Sequence, residues 1–325
     1  MAIINEDRLF PAEEKTRIIA RAIYNQIKEL PIISPHGHTD PAWYAENINF
    51  TDPAALFIIP DHYLVRMLCS QGYTHAELGI KPRDNTPYEK EPRKIWDIFV
   101  KNYHLYSGTP TRMWLDYVFS EIFGIEEELN EGSSESIYNH IDTKLKSKEF
   151  RIRNLYKRFR IEAISTTDEP NSDLAHHKKI RDEWDGRVIP CFRPDSIMDP
   201  LHESFIHEVN KLCSGGSEYL KYLDAIQERR FYFKEMGAVS TDHGCLEAYT
   251  AELSDTQMQG LFDKAMKGQI NQGEAREFQG HMLMEMARMS IEDGLVMQIH
   301  PGVYRNHSSM IFKRFGRDKG VDIPV

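Results

Sequence analysis

Long apolar runs are missing from this sequence: nothing in its 325 residues approaches the roughly 18 consecutive apolar positions that a membrane-spanning helix needs. Cysteine is scarce as well. Cys69, Cys191, Cys213 and Cys245 are scattered with no CxxC pair, which argues against a disulfide framework and predicts reduced thiols in a cytoplasmic protein. Positive charge is in deficit, with 40 Lys and Arg against 50 Asp and Glu, for a net charge of −10. That balance argues against a general nucleic-acid surface, and an anionic substrate would have to be met by local arginines. The start, Met1-Ala2-Ile3-Ile4-Asn5-Glu6-Asp7, has neither the basic opening nor the apolar centre of a signal peptide. Internal repeats, low-complexity stretches and flexible linkers are absent too.

The remainder describes a soluble globular protein with a large core. Apolar residues make up 41% and charged residues 28% of the chain. The length allows two domains or one large α/β barrel. Residues 11–30 carry Ile18, Ile19, Ala22, Ile23, Ile27 and Leu30 at helical spacing, with Glu13 and Glu14 at the start and Pro31 as the stop. An apolar run then ends in Ser34-Pro35-His36-Gly37-His38. If residues 32–38 are a strand, His36 and His38 project from one face and make half of a tetrahedral metal site. The competing reading has one histidine capping a turn and the other in solvent.

Asp52-Pro53 opens a second helix that Pro60 must break, and Asp61 is placed to cap the segment that follows, leaving His62 and Tyr63 for function. Residues 41–160 read as a helical insertion, strongest over 81–160, with Trp96, Tyr103, Trp114, Tyr117 and Phe119 as core candidates. From Phe159 the rhythm changes to short apolar runs separated by helices near 173–184, 199–213, 217–235, 255–268 and 273–292. This alternation predicts βα units and a parallel sheet. Five apolar runs finish in HGH, TTD, FRPD, STDHG and QIH. Barrel enzymes collect their chemistry at the C-terminal ends of strands, so five such endings point to a shared site. The expected architecture is a distorted (β/α)8 barrel with residues 1–40 supplying the N-terminal helix and strand 1, 41–160 the insertion, and 161–325 strands 2–5.

With these pieces in hand, the sequence resembles the uronate (glucuronate) isomerase family of the amidohydrolase superfamily. The matching motifs are Ser34-Pro35-His36-Gly37-His38 with Asp40-Pro41, Asp61-His62-Tyr63 with Arg66, Thr166-Thr167-Asp168-Glu169-Pro170, Phe192-Arg193-Pro194-Asp195, Ser240-Thr241-Asp242-His243-Gly244, and Gln298-Ile299-His300 with Arg305-Asn306. They occur in family order across the whole chain. The resemblance implies an aldose–ketose isomerase of hexuronates, converting D-glucuronate to D-fructuronate and D-galacturonate to D-tagaturonate, and a cytoplasmic homo-oligomer with no membrane or nucleic-acid partner. It further implies a divalent metal, commonly zinc, on His36 and His38, completed by an aspartate at the end of strand 8. Family chains are longer, and strands 6–8 with that aspartate are expected to have no counterpart before Val325.

Moving a proton between C2 and C1 through an enediol needs a base, an acid near the carbonyl and charge stabilisation. His62, Tyr63 and His300 are the candidates for proton transfer and hydrogen bonding. Arg193 is the candidate clamp for the uronate carboxylate, with His243 and Arg305 as further substrate-binding side chains. Blander readings stand beside these: Arg193 bridging strand ends to a carboxylate, His243 structural in a turn, Asp168 and Asp195 capping helices or supporting the site residues from behind, and His176, His177, His202 and His207 solvated. A metal-dependent hydrolase or decarboxylase on the same barrel, with His243 and His300 as added ligands, is the rival activity. An inactive fragment or binding protein is the rival outside catalysis.

Overall fold

The computed structural model describes residues 4–216 and 218–325. Met1–Ile3, part of the stretch read for a leader, and Ser217, the expected start of one helix, lie outside the described residues. The described chain forms two compact units, one of helices and one of strands with helices.

The helical unit comprises residues 4–31, 48–158 and 304–323. Its first helix, Glu14–Ile27, begins where Glu13 accepts hydrogen bonds from the Lys15 and Thr16 amides. None of its residues is buried, and Ile19, Ile23 and Ile27 stay 62%, 55% and 51% exposed. Aspartate followed by proline opens Pro53–Phe57, because the side chain accepts a helix-end amide while the ring's missing N–H costs nothing there. As expected, Asp61 caps His62–Cys69, accepting from the Tyr63 and Leu64 amides at 2.8 and 3.1 Å. Trp96, Phe99, Tyr103, Tyr106 and Phe119 fill this unit's core. Trp114 and Tyr117, expected inside with them, are 39% and 44% exposed, since they share a short helix that buries only Leu115.

The second unit holds residues 32–47, 159–303 and 324–325. It contains β1 (Ile32–Ser34), β2 (Ile161–Ser165), β3 (Arg187–Ile189), β4 (Ser240–Gly244) and β5 (Val296–His300). β1, β2 and β3 pair in parallel in that order, as do β4 and β5. Phe192 joins the two ladders through parallel bridges to Asp168 and Thr241. All C-terminal strand ends therefore face one edge. β1 is shorter than the run 32–38 read as strand. Pro35, with no N–H to give a ladder, ends it, and His36 and His38 stand on the loop beyond.

His177, read as solvated, is only 3% exposed. Its Nε2 lies 2.9 Å from Thr166 Oγ1, which in turn donates to Asp168 Oδ2 at 2.6 Å. Helical periodicity places His177 on the inner side of Ala175–Glu183 together with Ile180, which the polar composition of that helix conceals. Burial pushes its pKa down to about 4. The unfolded chain binds a proton on this residue below about pH 6.5 that the folded chain refuses until about pH 4, so stability falls as pH drops through that window. The expected loss is up to about 3 kcal/mol at full protonation of the unfolded state. His177→Gln should flatten this acid limb in denaturation measured from pH 7 to pH 4, and an unchanged limb would assign it elsewhere.

Candidate active site and metal group

Hydrogen bonds from later strand ends hold the loop after β1. Thr167 Oγ1 donates to the Gly37 carbonyl at 2.8 Å, and Gln298 Nε2 reaches the Pro35 carbonyl at 3.4 Å. So fixed, His36 and His38 turn their Nε2 atoms to 3.1 Å from each other, with the rings edge to face. Two nitrogens bound to one tetrahedral ion at about 2.0–2.1 Å would stand roughly 3.3 Å apart, close to this spacing.

Asp242 enters the same group from β4. It is fully buried, its amide donates to the Phe192 carbonyl at 2.9 Å, and its Oδ1 lies 3.8 Å from His36 Nδ1 and 2.5 Å from His300 Nε2. The His36 and His300 rings are 4.7 Å apart. Parallel pairing sets Asp242 against Gln298 and Gly244 against His300, which brings the end of β5 beside the Asp242 carboxylate. One ligand atom from each of His36, Asp242 and His300 falls within a 4.8 Å circle. Asp242 Oδ1, His36 Nδ1 and His300 Nε2 are buried and lack hydrogen-bond geometry to any partner. Buried polar atoms that converge without bonding one another are the donor arrangement a cation satisfies. Imidazole nitrogens with one carboxylate suit a divalent ion of the zinc kind.

Arg193 closes the group on its other side. Nη1 donates to Asp242 Oδ2 at 3.0 Å and Nε to Asp195 Oδ2 at 2.9 Å. The arginine thus does bridge strand ends to carboxylates. Asp168 is no helix cap but a buried acceptor of Thr166, its pKa raised by burial. His243, next to Asp242, points to the opposite face of β4 because strand side chains alternate. It is 2% exposed, with Nε2 2.8 Å from Thr241 Oγ1. Burial, and then the positive charges of Arg230, Arg193 and His300, push its pKa down to about 3.

His62 and Tyr63 occupy the first turn of their helix, Tyr63 60% exposed with the Arg66 guanidinium 5.9 Å from its ring centre. Gly320 packs on this turn with φ +77°, and a Cβ there would stand 2.7 Å from the His62 carbonyl oxygen. Arg305 lies 3.8 and 3.7 Å from Asp318 and Asp322. These residues belong to the helical unit. Sequence reading assigned no role to Asp242. The available signal was a carboxylate inside an apolar strand run, two residues before its end, where no helix begins.

A sequence model described as glucuronate isomerase matches residues 3–324. The chain belongs to the glucuronate isomerase family. A uronate isomerase of Rhizobium meliloti is 51% identical over 328 residues, covering 99% of this chain and 70% of that protein. One from Xanthomonas campestris is 45% identical over 328 residues, with the same coverage. Among solved structures, the glucuronate isomerase of Caulobacter crescentus superimposes with a TM-score of 0.96 at 42% identity, over 100% of this chain and 69% of that one. The uronate isomerase of Thermotoga maritima gives 0.89 at 26% identity, over 99% and 69%. The α/β architecture of this family member is therefore that of glucuronate isomerases.

Proposed function

We propose that this chain is a uronate isomerase that interconverts D-glucuronate and D-fructuronate, and the analogous galacturonate pair, with the chemistry at the C-terminal ends of β1–β5. The observation that carries the reading is the convergence of His36, Asp242 and His300, with Arg193 on the far side of the same carboxylate. His36 would hold a divalent ion, zinc by donor type, either through Nε2 with His38 or through Nδ1 with Asp242 and His300, since its two ring nitrogens point in opposite directions. When bound, that ion supplies Lewis-acid polarisation of a substrate oxygen. His300, whose Nε2 meets the same Asp242 oxygen, is the imidazole assigned to moving a proton at the substrate oxygens. Arg193 supplies the cationic group for the uronate carboxylate. The roles of His62 and Tyr63 in proton transfer and of Arg305 in substrate binding rest on the resemblance of their motifs. His243 was a ligand in the rival hydrolase reading, and its turn to the opposite face of β4 weakens that reading.

We infer further that β1–β5 are five consecutive strands of a (β/α)8-type barrel, with residues 48–158 as an insertion after the first. Its support is the parallel order, the shared strand-end site and the likeness to the family structures. Such a barrel takes eight strands, so three more would complete it. The absence of any helix long and apolar enough to cross a membrane, among the described residues, and four unpaired cysteines accord with a cytoplasmic enzyme.

Incubation with D-glucuronate should give ketose, turnover should fall on chelation, and added zinc should restore it. Absence of ketose from metal-loaded protein would overturn the isomerase reading. Arg193→Met should cut kcat/KM by about 100-fold or more, because a charge-assisted pair is lost from both substrate and Asp242. Unchanged kcat and KM would remove Arg193 from the site.

A further inference from the structure

Arg193 does not hold its own position. Among its partners, Asp242 holds Nη1 and Asp195 holds Nε, and of these two Asp242 alone belongs to the cation group. Asp195 is itself anchored from β4, the strand that also carries Asp242, since its Oδ1 accepts the Gly244 amide at 2.9 Å. Gly244 leaves the room that this contact needs. A Cβ there would come within 2.7 Å of Asp195 Oδ2 and 3.1 Å of Arg193 Nη2. A carboxylate that accepts one backbone amide and one guanidinium N–H, at a strand end with space kept for it, is built to fix an orientation. Asp195 starts the short helix Asp195–Met198 but takes no capping role there.

We propose that Asp195 is a positioning residue: seated on the Gly244 amide, it fixes the rotation of the Arg193 guanidinium about its bond to Asp242 and so sets how tightly the substrate carboxylate is held. The inference rests on the hexuronate reading above. In Asp195→Asn the amide oxygen can still accept from Gly244, but the amide nitrogen then faces Arg193 Nε, donor against donor. Arg193 keeps its pair with Asp242 and loses its second anchor. Substrate binding should weaken in ground state and transition state alike, which raises KM and leaves kcat nearly alone.

The experiment is steady-state kinetics of zinc-loaded wild type and Asp195→Asn with D-glucuronate, alongside zinc affinity by competition with a chromophoric chelator. Expected are a KM rise of roughly tenfold or more, kcat within about threefold of wild type, and unchanged zinc affinity. Gly244→Ala, which pushes on Asp195 and Arg193 from the opposite side, should reproduce the KM rise and carries the test if Asp195→Asn does not fold. Unchanged KM in the folded variant overturns the proposal. So does a loss of zinc affinity parallel to the loss of turnover, which would make Asp195 a support of the cation ligands. If wild type itself turns over no hexuronate, the isomerase reading falls and this one falls with it. Normal turnover by wild type with an indifferent variant defeats the Asp195 proposal alone.

Discussion

Asp242→Asn is expected to weaken zinc binding by about 100-fold or more and to lower isomerase turnover at least as far, since losing even an outer partner of a metal ligand typically costs 10- to 100-fold. The reason is local charge. The imidazoles of His36 and His300 and the Arg193 guanidinium stand against a fully buried carboxylate whose two oxygens face different partners, Oδ1 the histidines and Oδ2 the arginine. An amide removes the negative charge and must turn its nitrogen toward a cation ligand site or toward Arg193 Nη1. Either orientation sets a donor against a positive group in a place water does not reach. Chelator competition reads the zinc affinity and D-glucuronate turnover the activity. Wild-type zinc affinity in the folded variant would exclude Asp242 from the ligand set.

Phe192→Ala should cost about 3–5 kcal/mol of stability, the range for truncating a fully buried aromatic side chain. The ring is wholly buried, meets Phe233 edge-on at 5.1 Å and has the Arg230 guanidinium 5.9 Å from its centre. Its backbone also links the β1–β3 and β4–β5 ladders, donating to the Ser240 carbonyl at 3.4 Å and accepting from the Asp242 amide at 2.9 Å. Denaturant unfolding followed by tryptophan and far-UV signals measures the loss, and a cost below about 1 kcal/mol would show that the surroundings collapse onto the space.

Local chemistry was legible residue by residue. Asp52-Pro53 and Asp61 predicted helix starts because capping depends on side chains two or three positions away, and both caps formed. Five apolar runs predicted five parallel strands with polar ends, and five stand in sequence order. His36 and His38 predicted a pair of converging imidazoles, which occurs although the strand stops at Ser34. His177 and Trp114 went the other way, because their burial depends on which face of a helix meets the rest of the unit, and a polar or aromatic composition does not carry that information.

What the sequence alone determined, then, is the set of elements and the family motifs, both of which are encoded over spans of a few residues. Tertiary structure alone decided the partners. Asp242 lies about two hundred positions after His36 and about sixty before His300; the parallel register of β4 with β5 brings its carboxylate beside the His300 imidazole, and the strand order from β1 onward brings the loop carrying His36 to the same edge. Alternation within β4 turns His243 away, and the end of β4 offers its Gly244 amide to Asp195. A strand's side chains alternate between two faces, and which face holds the chemistry is fixed by the neighbouring strands rather than by the strand's own residues.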